Sequence, residues 1–168
     1  MWIATFLLAI TVALLQSSIV PAATIFGGII DLILIIILIF LFFGAFRQAS
    51  LFLLLSSVTL TILTGVPIIY LILPNFLLMI VYLILSNRRI ISWPSTLFSL
   101  PLFFIASVAA SLIKLLIMQR FSPSLIVPIS IGGIFTMAIG GVLYFLCSRA
   151  YHTINPQILR DRIKISRL

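Results

Sequence analysis

Charged and chemically reactive side chains are scarce in this sequence. Its 168 residues include two acidic residues, one histidine and one cysteine. A single cysteine cannot form an internal disulfide, and these few side chains do not make up the ligand set of a metal site. The chain also lacks a carboxylate pair for acid–base catalysis and a glycine-rich loop after a strand for phosphate binding. We therefore expect no catalytic residue, no metal site and no cofactor.

Apolar residues fill most of the chain instead. They make up 64% of it, charged residues make up 7%, and the mean hydropathy is +1.44. A helix needs about 20 apolar residues to cross a bilayer core about 30 Å thick. The apolar runs are continuous rather than alternating, which favours helices over a membrane barrel. The sequence thus predicts an all-α, polytopic transmembrane helical bundle.

Proline, glycine and charged residues divide the chain into six apolar segments. The predicted segments are Trp2–Val20, a long run that ends at Phe46, Ser50–Thr64, Ile68–Leu85, about Ser95–Met118 and about Leu125–Cys147. The third and fourth segments could instead form one helix across Gly65–Pro67, which would leave five crossings. We assign residues 1–150 to a single transmembrane domain and residues 151–168 to a basic cytoplasmic tail.

The ten Lys and Arg residues predict how the chain is oriented. Cytoplasmic loops of membrane proteins carry an excess of these residues. Six crossings with both termini in the cytoplasm place eight cations inside and two, Lys114 and Arg120, outside. Those inside are Arg47, Arg88, Arg89, Arg149, Arg160, Arg162, Lys164 and Arg167. The net charge of +8 therefore indicates orientation and attraction to an anionic inner leaflet, and we expect no binding of nucleic acid.

Small residues recur at one-turn spacing in the last two segments. They are Gly132, Gly133, Thr136, Gly140 and Gly141 in the sixth segment, and Ala106, Ser107, Ala110 and Ser111 in the fifth. Strips of this kind let another helix backbone approach closely. They predict either packing within this bundle or docking of a helix from a partner.

Two charged residues, Asp31 and Lys114, lie within apolar segments. A charged side chain within a bilayer costs free energy, so such residues are the first candidates for a function. If Gly27 and Gly28 interrupt the second segment, Asp31 falls in the first turn of a helix near the outer face and caps its free N–H groups. The alternatives are an interhelical partner or a cation ligand. Lys114 is predicted to extend its ammonium group to the outer interface, with pairing to Asp31 as the alternative.

The order of these features resembles the rod shape-determining protein MreD family of bacterial inner-membrane proteins. The resemblance is carried by LLQSSIVP at residues 14–21, by IIDLILIIIL at residues 29–38, and by a tyrosine-containing fourth segment that ends in an arginine pair, residues 82–89. A basic C-terminus after the last helix matches as well. The third segment differs, since it carries serine and threonine where family members often have an aspartate.

This resemblance implies a non-enzymatic scaffold of the cell-shape and cell-wall elongation machinery in the bacterial inner membrane. Members of the family bind the single-span protein MreC and, through it, the actin-like filament and wall synthases. The family also looks like the substrate-binding subunits of energy-coupling-factor vitamin transporters. A substrate-capture subunit for a small molecule or vitamin is therefore the alternative, and it needs converging polar groups near the outer side. Gln16, Asp31, Asn75 and Lys114 are the candidates for that pocket.

Overall fold

The computed structural model describes residues 2–22, 30–87, 96–118 and 122–154. Within these residues the chain forms six α-helices and one short 3₁₀ turn, Pro123–Leu125. The helices are α1 (Trp2–Ala22), α2 (Leu32–Phe42), α3 (Phe46–Thr64), α4 (Ile68–Asn87), α5 (Thr96–Ile117) and α6 (Ile126–Ile154). In the described part of the chain, four of them, α3 to α6, are long and apolar enough to cross a membrane. The prediction of an all-α bundle of six apolar helices is confirmed.

Helix α2 lies at the centre of the bundle. Its 11 residues, LILIIILIFLF, are apolar on every side, and most of them are buried. A helix that is apolar all round requires neighbours on every side, and α2 contacts each of the other five helices. At a rise of about 1.5 Å per residue it is about 16 Å long, roughly half the thickness of a bilayer core. It is therefore a core element, too short for the full crossing that the sequence predicted for this segment.

Two glycines with left-handed backbone set the boundaries of α3. Gly44 (φ 71°) lies between α2 and α3, and Gly65 (φ 69°) ends α3. Glycine adopts this conformation without the clash that a Cβ atom would cause. The break at Gly44 corrects the boundary predicted at Phe46, because Arg47 belongs to the first turn of α3. The break at Gly65 separates α3 from α4, so the single-helix alternative is wrong.

Contacts between helices show which ends lie together. Cζ of Arg47 is 5.8 Å from the ring centroid of Trp2, so α1 and α3 start at the same end of the bundle. Helix α6 runs antiparallel to α5 and returns to this end with Arg149, which we call the arginine end. The start of α2 and the last turn of α5 meet at the opposite end, where Asp31 contacts Lys114. We call this the aspartate end.

Aromatic rings close the core towards the arginine end. The ring centroid of Phe42 lies 5.8 Å from that of Tyr82, 5.4 Å from that of Phe103 and 5.3 Å from that of Tyr144. The pairs with Phe103 and Tyr144 are edge-to-face, an arrangement that adds to the stabilisation from burial. The end of α2 is thereby packed against α4, α5 and α6 at once.

Helix α6 continues to Ile154, past the boundary that the sequence placed after residue 150. The helix has no glycine or proline between Val142 and Ile154 to end it. The remaining part of the predicted tail, residues 155–168, lies outside the described residues.

Candidate functional site

Four polar side chains from four helices meet at the N-terminus of α2. We call them the aspartate cluster: Gln16 of α1, Asp31 at the start of α2, Lys114 of α5 and Thr136 of α6. They lie at the aspartate end of a bundle that is otherwise almost entirely apolar. The cluster is therefore the strongest candidate for a functional site among the described residues.

Asp31 uses its two carboxylate oxygens for two different purposes. Oδ1 accepts a hydrogen bond of 3.0 Å from the backbone N–H of Leu34, so Asp31 is the N-cap of α2. Oδ2 accepts a hydrogen bond of 2.8 Å from Nζ of Lys114 and forms an ion pair with it. The negative charge also lies at the positive end of the helix dipole. The cap and the interhelical partner, which the sequence left as alternatives, are thus both present.

Lys114 turns inwards rather than outwards. Its side chain is 28% exposed and that of Asp31 is 16% exposed, so both charges are largely withdrawn from the surface. The sequence predicted that this lysine extends to the outer interface, with pairing to Asp31 as the alternative. The structure contains the pairing. An ammonium group in an apolar bundle is stabilised when a carboxylate neutralises it, and this explains the choice.

Gln16 holds the backbone on both sides of Asp31. Its Nε2 donates to the carbonyl of Ile30 at 2.9 Å, and its Oε1 accepts from the N–H of Leu32 at 2.8 Å. Thr136 Oγ1 accepts a weaker hydrogen bond, 3.4 Å long, from the N–H of Asp31. The first N–H groups of a helix have no partner within the helix. Here side chains from α1 and α6 supply those partners, so the start of α2 is fixed to both.

A cleft of about 250 Å³ opens beside the cluster, between the end of α5 and the start of α6. Its polar lining comes from Gln16, Asp31, Ser111 and Lys114, and its apolar lining from Leu115, Leu125, Pro128 and Ile129. Asn75, the remaining candidate for a pocket, is not part of this lining. It is 3% exposed in α4, and its Nδ2 donates to the carbonyl of Leu71 at 3.0 Å.

The small residues of α6 face α5 and α2. A Cβ atom added to Gly133 would lie 3.0 Å from ring atoms of Phe104, and one added to Gly140 would lie 2.7 Å from Phe103. Gly141 faces Leu100 of α5 in the same way. Side chains of α5 fill the glycine face of α6, so no room remains there for a helix from a partner. Of the two interpretations, packing within the bundle is the one that the structure contains.

The other members of the strips are consistent with this packing. Gly132 is buried, and Thr136 is fully buried where it meets the backbone of α2. Ser107 of α5 is 3% exposed. Ser111 is only partly buried because it lines the cleft.

Two of the eight arginines and lysines predicted to lie inside are described. Arg47 is exposed in the first turn of α3, above the ring of Trp2, and Arg149 is exposed near the end of α6. Both lie at the arginine end. The remaining residues of this set, Arg88, Arg89, Arg160, Arg162, Lys164 and Arg167, fall outside the described residues.

The contacts of Gln16 and Thr136 were not predicted from the sequence. Gln16 was named only as a possible pocket residue, and Thr136 only as a small residue in a strip. A signal was present in the first case, because an amide side chain within an apolar segment needs hydrogen-bond partners. For Thr136 the sequence held no such signal, since a threonine in a helix can bond to its own backbone.

Helices α3 and α4 carry a second set of polar side chains. Among the described residues, three buried oxygen atoms of these two helices have no hydrogen-bond partner: Ser57 Oγ, Thr61 Oγ1 and Asn75 Oδ1. Other hydroxyl groups of α3 bond to carbonyls of their own helix, as Ser56 does to Phe52 at 2.6 Å. None of these residues lines the cleft.

The described residues contain no group of three or more His, Cys, Asp or Glu side chains that could hold a metal ion. Comparison with known family models, curated proteins and solved structures found no match for this chain.

Proposed function

We propose that this protein is a non-enzymatic integral membrane scaffold of the bacterial cell-shape and cell-wall elongation machinery. It would bind a single-span, MreC-like partner in the inner membrane. The observation that best supports the proposal is that the polar groups within the bundle bond to one another and to the backbone of neighbouring helices. Asp31, Lys114, Gln16 and Thr136 join the protein's own helices, which suits a rigid platform for other proteins.

The surface for the partner differs from the glycine strip, where the sequence allowed docking as one of two alternatives. The glycine face of α6 is filled by α5, so a partner's helix has to contact apolar faces that remain exposed. Helix α1 offers such a face at its start, where Ile3 is 78% exposed, and helix α4 offers another, where Ile84 is 52% exposed. Helices associate in membranes through close van der Waals packing on such surfaces.

The distribution of cations supports an orientation with both termini in the cytoplasm. Arg47 and Arg149 lie at the same end of the bundle, whereas Lys114 at the other end is neutralised by Asp31. An excess of Arg and Lys residues favours the cytoplasmic side. The arginine end would therefore face the filament and the anionic inner leaflet.

Affinity purification tests the scaffold function. The tagged protein is extracted from its native membrane in a mild detergent, and the proteins that remain attached are identified by mass spectrometry. We expect a single-span MreC-like protein together with wall-elongation components. Ile3→Gln on the exposed face of α1 should reduce this recovery, whereas Ala138→Gln on the exposed side of α6 serves as the matched control. Recovery of paired ATPases and a second multispanning subunit would overturn the proposal.

A substrate-capture subunit of a small-molecule transporter is the second candidate function. The observation that favours it is the cleft of about 250 Å³ with Asp31 and Lys114 in its wall. A small-molecule site is typically a concave, mostly apolar pocket with a few well-placed polar groups. Copurification with transporter ATPases, as described above, is the result that would select this function.

A further inference from the structure

The ion pair in the cleft has unused hydrogen-bonding capacity. A lysine ammonium group carries three N–H bonds, and a carboxylate accepts about four hydrogen bonds. Among the described residues, Nζ of Lys114 bonds only to Asp31, and the carboxylate accepts from Leu34 and Lys114. Ser111 adds a hydroxyl group to the same wall. The cleft thus presents a donor group and an acceptor group side by side.

The charges in the cleft select for a ligand of zero net charge. Lys114 and Asp31 already neutralise each other across 2.8 Å. A simple anion or cation would leave one uncompensated charge in surroundings of low polarity, which is costly. A zwitterion avoids this cost, because its anionic group can bind the ammonium of Lys114 while its own ammonium binds the carboxylate of Asp31.

The apolar walls indicate that this zwitterion also carries a hydrophobic part. Leu115, Leu125 and Pro128 form most of the remaining lining. On the other side of Ile129, a second groove of about 390 Å³ runs between α5 and α6, lined by Val108, Leu112, Leu116, Ile126, Ile129 and Ser130. Ile129 borders both spaces. A headgroup in the first space therefore lies next to a surface that suits an acyl chain.

We propose that the cleft beside the aspartate cluster binds a zwitterionic group that carries a primary ammonium and a phosphodiester or carboxylate. The anionic group contacts Lys114 and Ser111, and the ammonium contacts Asp31. The two sources of this chemistry are the headgroup of an aminophospholipid and a free, water-soluble zwitterion. The inference does not depend on the scaffold function, and it would define the substrate class if the protein is a transporter subunit.

Native mass spectrometry of the purified full chain in detergent tests the lipid source. The probes are phosphatidylethanolamine, phosphatidylcholine and phosphatidylglycerol with identical acyl chains. Phosphatidylcholine is zwitterionic but has no N–H to donate to Asp31, and phosphatidylglycerol has no cation. We expect phosphatidylethanolamine to bind about tenfold more tightly than either, the effect of one charge-assisted hydrogen bond. Equal binding of the three lipids, or preference for phosphatidylglycerol, would overturn the lipid source.

The soluble source is tested with glycerophosphoethanolamine as the probe, by the change in melting temperature of the same preparation. The phosphodiester and ammonium charges of this probe cancel. Stabilisation by glycerophosphoethanolamine but not by glycerophosphocholine, whose cation has no N–H, supports a free zwitterion as the ligand. If neither this probe nor phosphatidylethanolamine is preferred over its controls, the proposal is wrong.

A cleft-filling variant locates the site without touching the ion pair. Ser111→Leu should abolish the preference for the zwitterion, because the larger side chain occupies the space beside Lys114. Ser50→Leu is the matched control, since Ser50 bonds to its own helix in the first turns of α3 at the opposite end of the bundle. Unchanged preference in Ser111→Leu would contradict the assignment of the cleft. Copurification of elongation proteins is unaffected by this result, so the two proposals fail separately.

Discussion

The start of α2 and the pair of helices α3 and α4 both place polar side chains inside an apolar bundle, but they differ in how these side chains are paired. At the start of α2, the side chains of Asp31 and Gln16 each make two hydrogen bonds to other groups. In α3 and α4, Ser57 Oγ and Asn75 Oδ1 are buried without a partner among the described residues. The first region joins separate helices, whereas most hydroxyl groups of α3 bond to their own helix.

Polar content alone therefore does not identify a stabilising site. A buried polar group stabilises a fold when it has a hydrogen-bond partner, and it costs free energy when it has none. Removing a paired group should therefore lower the free energy of unfolding, whereas removing an unpaired group should leave it unchanged or raise it.

Lys114→Met should be the most damaging change. It leaves the largely buried carboxylate of Asp31 without its cation, and removal of one partner from a buried pair costs about 3 kcal/mol. Thermal unfolding of the purified protein in detergent measures the loss. The double variant Asp31→Asn with Lys114→Met removes both charges and should be more stable than the single variant. A single variant as stable as the unmodified protein would show that the pair is not formed.

Gln16→Leu should reduce the free energy of unfolding by about 2 kcal/mol, because it leaves backbone groups of Ile30 and Leu32 without partners. Gln48→Leu is the matched control, since no hydrogen bond of its side chain is described at the arginine end. That substitution should change stability by less than about 0.5 kcal/mol. If the two variants behave alike, the contacts of Gln16 with α2 do not stabilise the bundle.

Gly140→Ala separates polar pairing from helix packing as a source of stability. The added Cβ atom would lie 2.7 Å from the ring of Phe103 and would push α5 away from α6. Overpacking of this kind costs about 1 to 3 kcal/mol. Adding Phe103→Leu should recover part of the loss, and Ala138→Leu on the exposed side of α6 should have little effect. No loss in Gly140→Ala would mean that α5 and α6 are not packed closely at this point.

Ser57→Ala should leave stability unchanged or raise it slightly, because it removes a buried hydroxyl group without a described partner. Its neighbour Ser56 is equally buried but bonds to the carbonyl of Phe52. Ser56→Ala should therefore lower the free energy of unfolding by about 1 kcal/mol. A comparable loss in Ser57→Ala would show that Ser57 has a partner, such as a bound water molecule.

The six apolar segments were readable from the sequence because proline, glycine and charged residues interrupt them. The central position of α2 was not readable, since a run that is apolar all round is typical of a membrane crossing and of a buried core helix alike. The end of α2 was misplaced because hydropathy continues through Phe43–Phe46 without a polar residue, and only the left-handed backbone of Gly44 marks the turn.

The candidate site was only partly predictable. The capping position of Asp31 follows from its place before an apolar helix, which is a local property. Its pairing with Lys114 joins residues 83 positions apart and depends on how α2 and α5 are placed in the bundle. The glycine strips predicted that another helix packs closely against α6. Their sequence pattern does not distinguish a helix of the same chain from a helix of a partner.

The wide sequence separation of the aspartate cluster has a consequence for how the protein is made. Asp31 leaves the ribosome after Gln16 but long before its other partners, since Lys114 follows 83 residues later and Thr136 follows 105 residues later. Until then the carboxylate of Asp31 lacks the ammonium group of Lys114, and the apolar segment that follows it is too short to span a bilayer. The ion pair at the start of the central helix can therefore form only after α5 has been synthesised.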